Sequence, residues 1–245
     1  MTWSEMHPLI TQALGDTLRM VGWSAAVTIA AGLPVGVLLV LTDRGGPLHG
    51  VAGTVVNKVL GAVVNLGRSL PFVILMIALM SFTRTVVGTT IGWQAAVVPL
   101  SVGAIPFFAR LVETSLREVD RGLVEAVRSM GGSTWTVVRK VLLPESLPSL
   151  VAGATTTVIA LVGYSAMAGV VGGGGLGDLA LRYGYQRFET GFMWVIVAVL
   201  VVLVTLVQLA GDLAARAAAR RGRSSAAPRL RLLKSRPADP APTAP

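Results

Sequence analysis

The stretch Val195-Ile196-Val197-Ala198-Val199-Leu200-Val201-Val202-Leu203-Val204-Thr205-Leu206-Val207 decides the fold class, because apart from one hydroxyl it is wholly aliphatic. A soluble helix interrupts its apolar stripe with a polar face, and a membrane-barrel strand alternates polar and apolar residues over about 10 positions. This stretch does neither. Extended to Gly191 and Leu213, it reaches the roughly 20 predominantly apolar residues that carry a helix across a hydrocarbon layer about 30 Å thick. The same criterion selects about Met20 to Leu41, Leu60 to Phe82, Trp93 to Leu111 and Leu147 to Val171. The prediction is an all-α polytopic membrane protein of about five transmembrane helices with a helical cytoplasmic coupling loop. Composition agrees: of 245 residues 53% are hydrophobic and 13% charged, and a mean hydropathy of +0.71 implies more apolar surface than a soluble core of this length hides.

Several function classes drop out on residue type. The chain has no cysteine, which excludes disulfides, thiolate nucleophiles and cysteine metal sites. Its two histidines, His7 and His49, are too far apart in sequence to suggest a metal centre. No catalytic residue, metal site or cofactor is expected. The opening Met1 to Asp16 is polar and acidic, unlike a cleavable signal, so the first span is expected to remain as an anchor. Pro34, Pro71, Pro99 and Pro106 fall inside spans one to three, where neighbouring helices can satisfy the freed carbonyls.

The net charge of +9 has a membrane explanation, and no nucleic-acid partner is expected. Arg44, Lys58, Arg110, Arg117, Arg121, Arg128, Arg139, Lys140 and the basic tail fall on one side of the membrane, while Arg19, Arg84, Arg182 and Arg187 fall on the other. The positive-inside bias therefore places the N-terminus outside and the C-terminus in the cytoplasm. Three regions follow: an extracytoplasmic segment 1–19, a membrane domain 20–216 with a coupling loop at 113–145, and a disordered basic, Pro- and Ala-rich tail at 217–245.

The loop 113–145 is the most charged of the connections and yet keeps helical spacing, with Leu116, Val119, Leu123 and Val127 in one stripe. Gly131 and Gly132 interrupt it, Ser133 can cap a second helix, and Pro144 with Pro148 marks the expected return to the membrane. Helix, turn and helix standing on spans three and four can pass a push from a soluble partner to those spans.

The residues Glu125-Ala126-Val127, then Gly131, then Val141-Leu142-Leu143-Pro144, at separations of three and nine residues, resemble the EAA loop of ABC importer permeases. Val127 and Val141 replace an alanine and an isoleucine of that pattern. The resemblance implies docking on a separate cytoplasmic ATPase subunit through Glu125, Ala126, Val127, Gly131, Val141, Leu143 and Pro144. Over most of Leu9 to Arg216 the chain further resembles the methionine-import permeases, in Arg68-Ser69-Leu70-Pro71-Phe72, Ile105 to Arg110, Val162 to Met167, and Gly172 to Gly177 with Tyr183-Gly184-Tyr185. That likeness implies a bacterial plasma-membrane type I importer permease that works as two copies, with an ATPase and an extracytoplasmic methionine-binding lipoprotein as partners. The substrate comes from the resemblance and from nothing in composition or spacing. Another amino acid or a small organic solute is the alternative cargo, and a membrane-embedded enzyme is the competing class, weakened by the scarcity of carboxylates within the spans.

Several further features bear on mechanism. Gly172, Gly174 and Gly177 satisfy G-x-G-x-x-G, but they follow a membrane span on the outer side and are expected to form a tight turn or re-entrant segment instead of a nucleotide cradle. The chain also has no G-x-x-x-x-G-K-[ST] loop, so ATP must be handled by a partner. Gly153, Thr156, Ala160, Gly163 and Met167 share one face of span four, and Gly163, Tyr164 and Met167 are the candidates for lining a pathway at a twofold axis. Arg68 lies inside span two and reads either as a snorkelling residue or as a functional one. Arg110, Glu113 and Arg117 have the spacing of an ion-pair ladder.

Overall fold

In the computed structural model residues 3–48 and 50–226 are described; His49 and residues 227–245 of the tail lie outside them. Helix α1 (Trp3–Leu41) buries Ala13, Thr17, Met20, Ser24 and Thr28, a row at three- and four-residue steps. Its small and hydroxyl-bearing residues admit close neighbours. At Gly36 an added Cβ would sit 2.5 Å from Val112 Cβ and 2.6 Å from the Ala109 carbonyl oxygen, and at Gly32 it would sit 2.9 Å from Phe108 Cδ1. Two glycines one turn apart thus bring α1 against α5 (Trp93–Arg117), backbone to backbone, as small residues do between membrane helices. The two prolines of α5, Pro99 and Pro106, lie inside an unbroken helix.

The described part of segment 1–19 is helical and continues directly into the first span. Met6, Leu9, Ile10 and Leu14 pack with Ala13 around Leu176, Leu179, Phe192 and Ile196, and this apolar surface keeps the segment helical. Span two departs from expectation. It is broken into α2 (Val51–Ser69) and α3 (Phe72–Ala78), bent by 105° at Leu70 and Pro71. Leu70 is extended at ψ 128°, the conformation that a following proline imposes by steric exclusion from the helical region. The short helix α4 (Met80–Val87) then ends at Gly88, whose φ of +81° closes the last turn through its N–H to the Arg84 carbonyl.

The coupling region begins where α5 runs on to Arg117, six residues past the expected end of span three. Helix α6 (Arg121–Ser129) is capped by Asp120, which accepts from the Gly122 N–H at 2.8 Å. After the turn, α7 (Thr134–Val137) passes through a π-helical stretch, Val138–Leu142, into α8 (Leu143–Ala168). Pro144 and Pro148 both lie within the first two turns of α8, at the start of the long apolar helix. In the widened turn the Leu143 N–H reaches back to the Val138 carbonyl, and Pro144, in the first turn of α8, has no N–H left to satisfy.

The outer glycines form the expected tight turn. Gly172, Gly174 and Gly175 have φ of +89°, +76° and +74°, positions that strongly favour glycine. They fold the chain back into α9 (Gly175–Leu179), where the Leu176 N–H donates to Thr17 Oγ1 at 2.9 Å. Helix α10 (Thr190–Ala226) closes the bundle and exposes Trp194, Val201, Val202, Leu206, Leu209 and Leu213, a surface suited to lipid tails. It carries helix through residues 217–226, a stretch expected to be disordered. Among the described residues four helices are long and apolar enough to cross a membrane, and counting the bent pair α2 and α3 as one span gives five.

Candidate coupling and translocation sites

At the coupling-loop end, Leu41, Phe108, Val112, Leu116, Val119, Val137, Val138, Val141, Leu142 and Leu150 form one buried cluster that joins the ends of α1 and α5 to the start of α8. Val124 and Val127 of α6 pack on it from outside. The helical stripe expected from Leu116 to Val127 is therefore split by the turn at 118–120, with Leu116 and Val119 buried and Leu123 exposed. Beneath the cluster, Glu113 is 2% exposed and is held by Arg110 and Arg117, each at 2.6 Å. Arg117 also reaches Asp43 at 3.0 Å, tying α5 to the loop after α1. A carboxylate buried between two guanidiniums fixes those helix ends, since loss of its partners would strand a charge.

The coupling residues divide between surface and core. Glu125, Ala126 and Gly131 are exposed, and Gly131 adopts φ +79° as the turn requires. Val141 is buried, Leu143 packs against the same cluster, and Pro144 is exposed at the start of α8. The first group can meet a partner, whereas the second ties the element to span four. Ser133 caps the second helix by accepting from the Thr136 N–H at 3.3 Å. Sequence reading missed Met130 and Trp135, exposed by 79% and 69% at the tip of the element. Large exposed apolar side chains rimmed by charged neighbours are the kind of surface that meets a protein partner. A cavity of about 380 Å³ opens behind α6, walled by Arg44, Arg117, Arg121, Glu125 and Arg128.

In the membrane part, Thr156, Gly163 and Met167 are exposed along α8 and no heavy atom of another element lies within 4 Å of a Cβ placed at Gly163. Gly153, expected on the same face, instead lies against α5, where an added Cβ would sit 3.4 Å from Leu111 Cβ. Tyr164 is half-buried and stacks on Phe72 with ring centroids 4.8 Å apart and planes at 12°. Both rings line a cavity of about 250 Å³ together with Arg68. The face is open within one chain, as a surface meeting a second copy would be.

Residues 45–221 match the binding-protein-dependent transport system inner membrane component family. The chain belongs to this family. Among its relatives, the probable D-methionine transport system permease protein MetI of Vibrio cholerae is 52% identical over 204 residues, 83% of this chain and 89% of that protein. The methionine import system permease protein MetP of Bacillus subtilis is 48% identical over 72% of this chain and 78% of its own length. An inward-facing structure of the MetNI methionine ABC transporter superposes with a TM-score of 0.85 at 47% identity, covering 89% of this chain and 99% of that one. An amino acid ABC transporter shares the fold at a TM-score of 0.69 and 20% identity. This inner-membrane component is thus a multi-pass permease subunit of an ATP-driven importer, a transport protein and not an enzyme.

Proposed function

We propose that the chain carries methionine across the plasma membrane as one of two permease copies, with a cytoplasmic ATPase docked on its coupling element and an extracytoplasmic methionine-binding lipoprotein delivering the cargo. The observation that carries this reading is the 47% identity with a MetNI chain over 99% of its length, alongside relatives named for methionine transport in Vibrio and Bacillus. Exposed Glu125, Ala126, Met130 and Trp135 support docking of the ATPase. The open face of Gly163 and Met167, with Tyr164 beside it, supports a pathway between two copies. The basic side chains gathered at the coupling end support a cytoplasmic C-terminus and an outer N-terminus.

The test is uptake. Co-expressed with its ATPase and lipoprotein in a host lacking methionine import, the chain should accumulate labelled methionine, and inactivating the ATPase should abolish accumulation. Both enantiomers should be offered. Uptake of a different amino acid with none of methionine would overturn the substrate. Cross-linking from Ser129→Cys should capture the ATPase, and its failure in an assembled, transporting complex would remove the docking site from α6.

A further inference from the structure

Arg68 is an exposed cation in the last turn of α2, within the bent helix pair that counts as one span. Helix α2 carries Lys58 near its cytoplasmic end and Arg68 in its last turn, and at about 1.5 Å per residue the two are roughly 15 Å apart along the axis. That is about half the thickness of the hydrocarbon layer. An ionisable group at such depth faces a partner, a cavity or a substrate route. Among the described residues the ion pairs join Arg19, Arg110, Arg117 and Arg182 to carboxylates, and Arg68 is in none of them.

What Arg68 does face is the cavity of about 250 Å³ whose other walls include Leu70, Phe72, Leu75, Phe107 and Tyr164. The break at Leu70 and Pro71 creates this arrangement: the 105° bend sends α3 sideways, so that a cation ending one helix and a ring starting the next share one cavity. Discontinuous membrane helices recur at substrate sites because they bring polar groups to membrane depth beside apolar walls. A water occupies about 30 Å³ of liquid, so there is room for a single amino acid. None of the lining residues is acidic, which leaves the guanidinium fork free for an incoming anion. The aliphatic and aromatic walls accept an uncharged side chain, and the Tyr164 hydroxyl can accept from an ammonium.

We propose that Arg68 anchors the α-carboxylate of the translocated amino acid within the permease itself. This rests on the reading of the chain as an amino-acid importer. A snorkelling or purely packed arginine would leave the cavity indifferent to substrate.

The cysteine-free chain supplies the test. Leu70→Cys, with Leu75→Cys as a second reporter on the same cavity, is labelled by a maleimide in the assembled complex after methionine uptake by that complex has been verified. Methionine should slow labelling and methioninamide, which lacks the carboxylate, should not. Arg68→Gln should weaken the protection by methionine at least about tenfold, as expected for a lost charge-assisted contact, while Arg68→Lys keeps part of it. Val86→Cys, exposed and outside the cavity wall, should label equally with and without methionine. Equal protection by the amide, undiminished protection in Arg68→Gln, or no protection in a complex that imports methionine would each overturn the site and leave the import reading standing. Failure of the unmodified complex to import methionine would instead overturn the import reading.

Discussion

The two ends of the permease solve opposite problems. At the coupling-loop end the helices are locked: a continuous apolar cluster, a buried Glu113 clamped by two arginines and a tie from Arg117 to Asp43 fix α1, α5 and the start of α8. Around the far half of α8 the structure leaves space, with a broken span in α2 and α3, a tight glycine turn, an open face at Gly163 and Met167, and a cavity beside Arg68. Rigid packing transmits displacement because it has few alternative arrangements. Glycines and helix breaks offer such alternatives at low cost. The contrast suits a machine that receives a push at one end and opens at the other.

The largest expected effect comes from dismantling the rigid end. Arg110→Ala with Arg117→Ala leaves Glu113 buried without either cation and should cost about 3–5 kcal/mol, read as a drop in the thermal midpoint of the purified permease. Glu113→Gln added to that pair should recover part of the loss. Unchanged stability in the double variant would mean that water reaches Glu113 and that the end is not a rigid block. Next comes the close contact of α1 with α5. Gly36→Val must push Val112 and the Ala109 carbonyl aside and should destabilise by about 1–3 kcal/mol, whereas Gly22→Val, where no heavy atom lies within 4 Å of the added Cβ, should do far less.

A smaller effect on stability, with a larger one on coupling, is expected at the tip. Gly131→Val places a β-branched residue at φ +79°, a strain of about 1–2 kcal/mol confined to an exposed turn. Insertion and folding should survive while ATP-driven uptake falls. The smallest structural effect is expected at Met167, which is 46% exposed. Met167→Ala should leave the thermal midpoint nearly unchanged yet alter uptake more than Met193→Ala, whose side chain packs near Gly184. If the two methionine variants transport alike, the open face of α8 is not part of the route and the contrast between the two ends loses its functional meaning.

Much was legible in the chain itself, for identifiable reasons. An uninterrupted aliphatic run such as Val195 to Val207 has one physical solution in a helical membrane protein, and a charge pattern is a property of composition and order. The turn at Gly131 and the cap at Ser133 are local, set by residues within one helical turn, and the ladder of Arg110, Glu113 and Arg117 follows from three- and four-residue spacing. The sequence therefore determined the class of fold, the cytoplasmic helix-turn-helix and the resemblance that its motifs carry. Tertiary structure decided the rest. That Pro71 breaks a span while Pro99 and Pro106 lie inside an unbroken helix was not readable from the prolines themselves. That Gly32 and Gly36 are a contact with α5, that Val141 serves the core while Ala126 faces outward, and that Arg68 shares a cavity with Tyr164 are relations between residues far apart in the chain. No local pattern encodes them, because packing is decided by the shapes that meet.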